Sequence, residues 1–199
     1  MSTRSETTFK KLAKKYRTPK QVQAFLRKLN YNHEKKSETV RSAFSACQAK
    51  ETHCLEACFV AAAILEQNGY PPLLLCMDSS DNINHCVYLF ETKTGWGSIG
   101  RSRLPGLHGR QPVFKTVEEL VLSYTDAFVD ATGHLIGWHV MSLDDAGADW
   151  RASKRNVWKV DHYTVSKKYK KLTLARKRLR KLRHDFLTIG PIPSGKYWW

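Results

Sequence analysis

The 199-residue chain has no apolar run approaching the ~18 residues that a membrane-spanning helix needs, so no transmembrane segment is expected. Its N-terminus is polar and basic and lacks the hydrophobic stretch of a secretory signal. The five cysteines are odd in number and lack small-scaffold spacing, which points to a reduced protein and a cytoplasmic location. There is no glycine-rich phosphate loop, no RNA or DNA signature motif, no internal repeat and no paired Cys/His knuckle. No cofactor and no metal are therefore expected. Acidic residues are scarce: 18 Asp and Glu stand against 33 Lys and Arg, for a net charge of +15. Apolar residues make up 42% and aromatics 11%, too much for a disordered chain.

The charge is unevenly placed. Residues 1–50 carry 13 Lys and Arg against 3 Asp and Glu, residues 51–150 carry 5 against 13, and residues 151–199 carry 15 against 2. A mildly acidic centre thus lies between two basic flanks, a pattern suited to an anionic partner or to flanks that fold back on the centre. A single domain is expected over 1–199, with a basic helical region at 1–50, a core at 51–165, and a basic helix with an aromatic tail at 166–199.

Residues 1–17 read as a short basic helix or a loose arm. Thr18, Pro19 and Gln21 form a helix-start signature, and Val22, Phe25, Leu26 and Leu29 continue at helical spacing to about residue 30. Residues 33–50 are polar, with room for a short helix around Val40, Phe44 and Cys47. Residues 54–67 are rich in Ala and Leu and apolar on nearly every side, which predicts a buried helix stopped by Asn68-Gly69 and Pro71-Pro72. Leu73–Met77 reads as a buried strand. His85–Glu91 alternates, placing His85, Val87 and Leu89 on one face and Cys86, Tyr88 and Phe90 on the other. A turn at 93–95 returns the chain along 96–99, and residues 100–112 read as a loop. Thr116 and Glu119 have capping-box spacing for a helix to about Val129. Strands are expected over 135–143 and 157–165. Residues 167–183 hold ten Lys or Arg, with Leu172, Ala175, Leu179 and Leu182 at helical spacing. The segment from Gly190 reads as extended, with Tyr197-Trp198-Trp199 docking back on the body. The fold class is α+β: a buried helix packed on an antiparallel sheet, with basic helical flanks.

The chemistry centres on Cys54, at the start of the buried helix, and His85, at the start of the alternating strand. A thiol in the first helical turn meets the positive end of the dipole and unpaired backbone N–H groups, which favour the thiolate. An imidazole is its usual proton partner. The backbone N–H of Cys54 is also placed to stabilise an oxyanion.

The run Cys54-Leu-Glu-Ala-Cys-Phe-Val-Ala-Ala-Ala-Ile-Leu-Glu-Gln-Asn-Gly-Tyr-Pro-Pro, then His85-Cys-Val-Tyr-Leu-Phe and Gly95-Trp96, resembles the transglutaminase-like core of the papain-like cysteine enzymes, close to small uncharacterised bacterial members. The resemblance covers roughly residues 50–100. It implies a papain-like fold, Cys54 as nucleophile and His85 as base. The implied activity is hydrolysis or transfer at a peptide-like amide, as in a cysteine peptidase or transglutaminase. The chain departs from the family in the stretch Trp96-Gly97-Ser98-Ile99-Gly100-Arg101-Ser102, which has no acid; Gly100 stands about where it would be. Ser98, Ser102, a backbone carbonyl or a distant Asp are the substitutes for orienting the ring.

Around this pair, Cys58 and Cys86 read as structural. A zinc site from His53, Cys54, Cys58 and His85 can be drawn without the usual spacing. His53 reads as a polar residue at the helix start or as a substrate contact. Arg101, Arg103, His108 and Arg110 read as anion contacts over the cleft or as an ordinary basic loop. Residues 167–183 read as a helix packed by its Leu stripe or as a face for nucleic acid or another polyanion. Three functions follow: an amide hydrolase or acyltransferase, a catalytically impaired scaffold that binds nucleic acid or polyanion, and a partner-binding protein with an inert site.

Overall fold

Helix α4 (Cys54–Leu65) lies at the centre of the molecule, and every residue from Leu55 to Leu65 is buried. The computed structural model describes residues 3–192, 195 and 197–199. A sequence that is apolar around the whole helix requires protein on all sides. The chain supplies it with α1 (Arg4–Lys15), α2 (Pro19–Leu26) and α3 (Ala43–Ala49) on one side and an antiparallel sheet on the other.

The sheet consists of β3 (Leu73–Ser79), β4 (His85–Thr92), β5 (Gly95–Ile99), β6 (Arg110–Phe114), β7 (Leu135–Ser142) and β8 (Lys170–Lys171). Their spatial order is β6-β5-β4-β3-β7-β8, and every neighbouring pair is antiparallel. Period-two alternation sorts the two faces. Leu74, Cys76, Cys86, Tyr88 and Phe90 join the core around α4, whereas Leu75, Met77, Val87 and Leu89 face a second core. That second core is closed by α5 (Val117–Leu122), Tyr124, Phe128 and the loop residue Leu107. The alternation of residues 85–90 is thus distributed as the sequence predicts. The chain is α+β with helices and an antiparallel sheet, and among the described residues no helix is long and apolar enough to cross a membrane.

Several boundaries differ from expectation. Residues 157–165, expected as a strand from their β-branched content, form helix α6 (Trp158–Ser166). Val157, Val160 and Thr164 recur at one-turn spacing, and burying that stripe outweighs β propensity. Helix α2 ends at Leu26 because the chain must reach β1 (Asn30–Tyr31), which pairs in parallel with β2 (Glu51–Thr52). The loop expected over 100–112 ends early, since Arg110–Phe114 is the edge strand β6. Helix α5 stops at Leu122 rather than Val129. Its Thr116 hydroxyl accepts the Glu119 N–H, but the Glu119 carboxylate bonds Lys115 N instead of closing the box. The basic helix expected over 167–183 is shifted: β8 comes first, and α7 (Arg176–Ile189) follows with no buried residue. Leu172 does pack on the second core. The tail docks as expected, with Trp199 stacked on Phe90 and Trp198 on His108. Pro193 and Ser194 of the expected extended stretch, and Lys196, lie outside the described residues.

Candidate active site

Cys54 is the first residue of α4, and the turn before it is tightly fixed. His53 is the N-cap: its Nδ1 accepts the Leu55 N–H at 3.3 Å, and its own N–H donates to Glu56 Oε2 at 3.2 Å. The Glu56 carboxylate is fully buried. It also accepts from the Thr39 hydroxyl, the Arg41 backbone N–H, and Arg41 Nε and Nη2, all at 2.8–2.9 Å. Burial works to raise the Glu56 pKa, but the Arg41 fork and His53 outweigh it and hold the group below the ordinary range. This pair of a buried carboxylate and a part-buried guanidinium sets the path of the chain into α4 and thereby the position of the Cys54 sulfur.

The sulfur looks into a cleft lined by Tyr31, Ser79, Asn84, His85, Ser102, Arg103, Leu107, Phe128 and Asp130. Burial pushes the Cys54 thiol up, but hydrogen bonding and positive charge from the His53 and His85 rings overcome it and bring the thiol well below its usual value. The helix dipole acts in the same sense. His53 is pulled down by burial, and the Cys54 thiolate, Glu56 and the Thr39 carbonyl together lift it to about 9. His53 Nε2 donates to the Thr39 carbonyl at 2.8 Å.

His85 Nε2 lies 2.8 Å from the Leu107 carbonyl. A carbonyl only accepts, so Nε2 carries the proton, and in the neutral ring Nδ1 is left as the base. Phe128 meets the ring edge-on at 6.5 Å. The orienting group is therefore a backbone carbonyl. Gly100 has no room for a side chain: a Cβ there would lie 2.9 Å from Val87 Cγ1. Its N–H and C=O are both bound by the buried Gln23 amide, at 2.9 and 3.0 Å.

The remaining sequence candidates divide clearly. Ser98 bonds the Tyr124 hydroxyl and the Arg110 N–H, so its hydroxyl is engaged away from His85. Ser102 lines the cleft but turns its hydroxyl to Leu104 N–H. Arg103 is exposed at the cleft rim, whereas Arg101 donates to the Leu29 carbonyl. His108 Nε2 is bound to the Ser102 carbonyl and its ring stacks on Trp198, which takes it out of the cleft lining. Arg110, expected as an anion contact, is only 2% exposed. Its guanidinium donates to the carbonyls of Gly106 and His108 at 2.9 Å and Ser123 at 3.2 Å, and it stacks over Tyr124. It holds the loop on both sides of Leu107 and has no donor directed at a ligand. Among the described residues no group of three or more His, Cys, Asp or Glu side chains is placed to hold a metal ion.

Sequence reasoning missed Tyr31 and Asp130 in the cleft, and Leu107 as the orienting group. The Tyr31 phenol is raised by burial and by the Cys54 charge, and so stays protonated beside the sulfur. Tyr31 arrives from the short strand β1, which carries no periodic signal. A carbonyl has no side-chain signature at all. The chain matches no protein-family model and no curated protein.

Proposed function

We propose that the protein is a cysteine-dependent amide hydrolase or acyltransferase of transglutaminase-like, papain-like type, with Cys54 as nucleophile and His85 as general base and acid. The observation that carries this reading is the shared cleft of an acidified helix-start thiol and an imidazole whose far nitrogen is fixed by the Leu107 carbonyl. The Cys54 thiolate attacks the amide carbonyl carbon, and the oxyanion forms near the backbone N–H groups of the first turn. Protonated His85 gives its proton to the departing amine, leaving a thioester. Neutral His85 then takes a proton from water or an acceptor amine, which attacks the thioester and releases the thiolate. His53 keeps the sulfur anionic between cycles, and Arg103 at the rim favours substrates with a nearby carboxylate.

The test is trapping of the thioester. Incubation with a panel of small activated amides and peptide vinyl sulfones, followed by intact mass and peptide mapping, is expected to place the adduct on Cys54. Cys54→Ser abolishes it and His85→Gln slows it strongly. Adducts distributed over Cys47, Cys58 and Cys54 alike, or unaffected by His85→Gln, would remove the proposal.

One observation favours a second reading, polyanion binding. Helix α7 buries no residue, and Arg176, Lys177 and Arg180 are exposed and in no ion pair among the described residues. A nucleic acid held there is retained with a steep salt dependence, and Ala at 176, 177 and 180 reduces both affinity and slope. Retention unchanged by these substitutions excludes α7 as the contact.

A further inference from the structure

Behind the site, a second set of thiols crosses the sheet in one row. Cys86 on β4 is paired directly with Cys76 on β3, and Cys76 is paired directly with His139 on β7. The Cys86 thiol donates to Cys76 Sγ at 3.5 Å. Asp78, two residues along β3, places Oδ2 3.7 Å from His139 Nδ1. The two thiols and the ring are enclosed, with Cys76 4% exposed, Cys86 7% and His139 7%, while the Asp78 side chain is 14% exposed. Yet Asp78 Oδ2 and both His139 ring nitrogens have no hydrogen-bond partner. Asp78 Oδ2 and His139 Nδ1 thus face each other beyond hydrogen-bond distance, and buried polar atoms left without hydrogen bonds are costly in a fold that satisfies most others. They surround a thiol whose partner thiol is already in contact with it. The titration of Cys76 accords with this: its bond from Cys86 lowers it against the opposing effect of burial, with His139 assisting, to about 7.

We propose that Cys76 and Cys86 are an oxidisable dithiol that forms a cross-strand disulfide on reaction with a small hydroperoxide, with His139 as the proton carrier. Directly opposed antiparallel residues have Cα atoms about 4.5–5.5 Å apart, inside the span a disulfide bridges, so only the side chains need move. In the first step the Cys76 thiolate attacks one peroxide oxygen and the O–O bond breaks. Protonated His139 gives its proton to the departing hydroxide, leaving water and a Cys76 sulfenic acid. In the second step Cys86 sulfur attacks Cys76 sulfur. The Cys86 thiol proton leaves with the departing hydroxide, giving the disulfide and a second water. The two thiols are oxidised and one peroxide is reduced. Because both thiols are buried, the oxidant proposed is small hydrogen peroxide rather than a bulky disulfide such as oxidised glutathione.

The reaction is independent of Cys54 and is best read in Cys54→Ser protein, so it stands or falls separately from the amide chemistry. One equivalent of hydrogen peroxide is expected to remove two hydrogen atoms from the folded chain. Digestion with Asp-N and trypsin separates 51–77 from 81–93. Recovery of these two as one cross-linked species, with fragmentation assigning Cys76 rather than Cys58, is the supporting result. His139→Asn and Asp78→Asn are each expected to slow disulfide formation about ten-fold or more at pH 7, and to shift the pH dependence set by Cys76, Cys86, Cys58, His139 and Asp78. A Cys58 linkage, stable oxidation to sulfinic acid without a cross-link, or a rate unchanged in both variants overturns the proposal.

Discussion

Arg110 carries no chemistry of its own, yet its contacts bear on the candidate site through the loop that holds Leu107. Its guanidinium reaches the backbone carbonyls of Gly106, His108, Gly109 and Ser123 and the Ser123 hydroxyl, and two of these carbonyls, Gly106 and His108, flank the Leu107 carbonyl that orients His85. Arg110→Met keeps an unbranched side chain there but removes every one of these donors and the guanidinium stacked over Tyr124. Hydrogen bonds to a charged group are worth about 1.5–3 kcal/mol each. Water replaces part of the loss at the loop edge, which leaves a net destabilisation of about 3 kcal/mol. For a chain of this size that lowers Tm by about 6–12 °C. The site effect exceeds the stability effect. With Leu107 released, His85 loses the bond that fixes its tautomer, and Cys54 alkylation at pH 6.5 is expected to fall about ten- to a hundred-fold. The drop stays below the roughly 10⁴-fold that follows loss of a charged orienting carboxylate in a serine-protease triad, because a neutral carbonyl stabilises the imidazolium less. Alkylation rates are read at a temperature where both proteins are folded, beside thermal unfolding. A variant that is destabilised as stated but alkylates at the original rate would refute the link from Arg110 through Leu107 to His85.

Further outcomes follow from the same geometry. Glu56→Gln removes one of the two carboxylates that pair with Arg41, leaving Glu51, and is expected to cost about 2–3 kcal/mol in chemical denaturation. Because the folded Glu56 pKa is depressed, its contribution is present above about pH 4.3 and fades as pH falls through the lower folded value, so the variant shows a flatter loss of stability in acid. His53→Asn retains a good N-cap and is expected to stay within about 1 kcal/mol of the original stability. It removes one of the two rings that acidify Cys54, so alkylation at pH 6 falls several-fold while the rate at pH 9 is kept. Trp199→Ala removes the indole bond to the Ser98 carbonyl and the stack on Phe90, and is expected to cost about 2 kcal/mol in thermal unfolding.

What was legible in the sequence followed from strong local rules. Residues 54–65 are apolar on every side, so the central helix and its burial could be read directly, and the alternation of 85–90 fixed which residues face α4. Cys54 and His85 stood out as candidates because a thiol at a helix start and an imidazole at a strand start each carry a chemical signature, and because the run that holds them resembles a known core. The rest depended on partners distant in the chain. Val157–Val165 carries both β-branched composition and a helical stripe, and only the core it meets decides between them. Arg110 reads as a free cation until the loop carbonyls close around it. Leu107 acts through its backbone, and Gln23 occupies Gly100 from 77 residues away. None of these has a marker in local sequence.

The central claim is that the Cys54 sulfur is held as a thiolate by the helix start and by two imidazoles. The most direct measurement is the rate of Cys54 carboxamidomethylation against pH from 4 to 9, followed by peptide mapping. Labelling selective for Cys54, with a rate that persists below pH 7 and an inflexion that moves up in His85→Gln, is the predicted result. A rate that falls ten-fold per pH unit from about pH 8.5 downward, as for an ordinary thiol, with label distributed among the other cysteines, would contradict it.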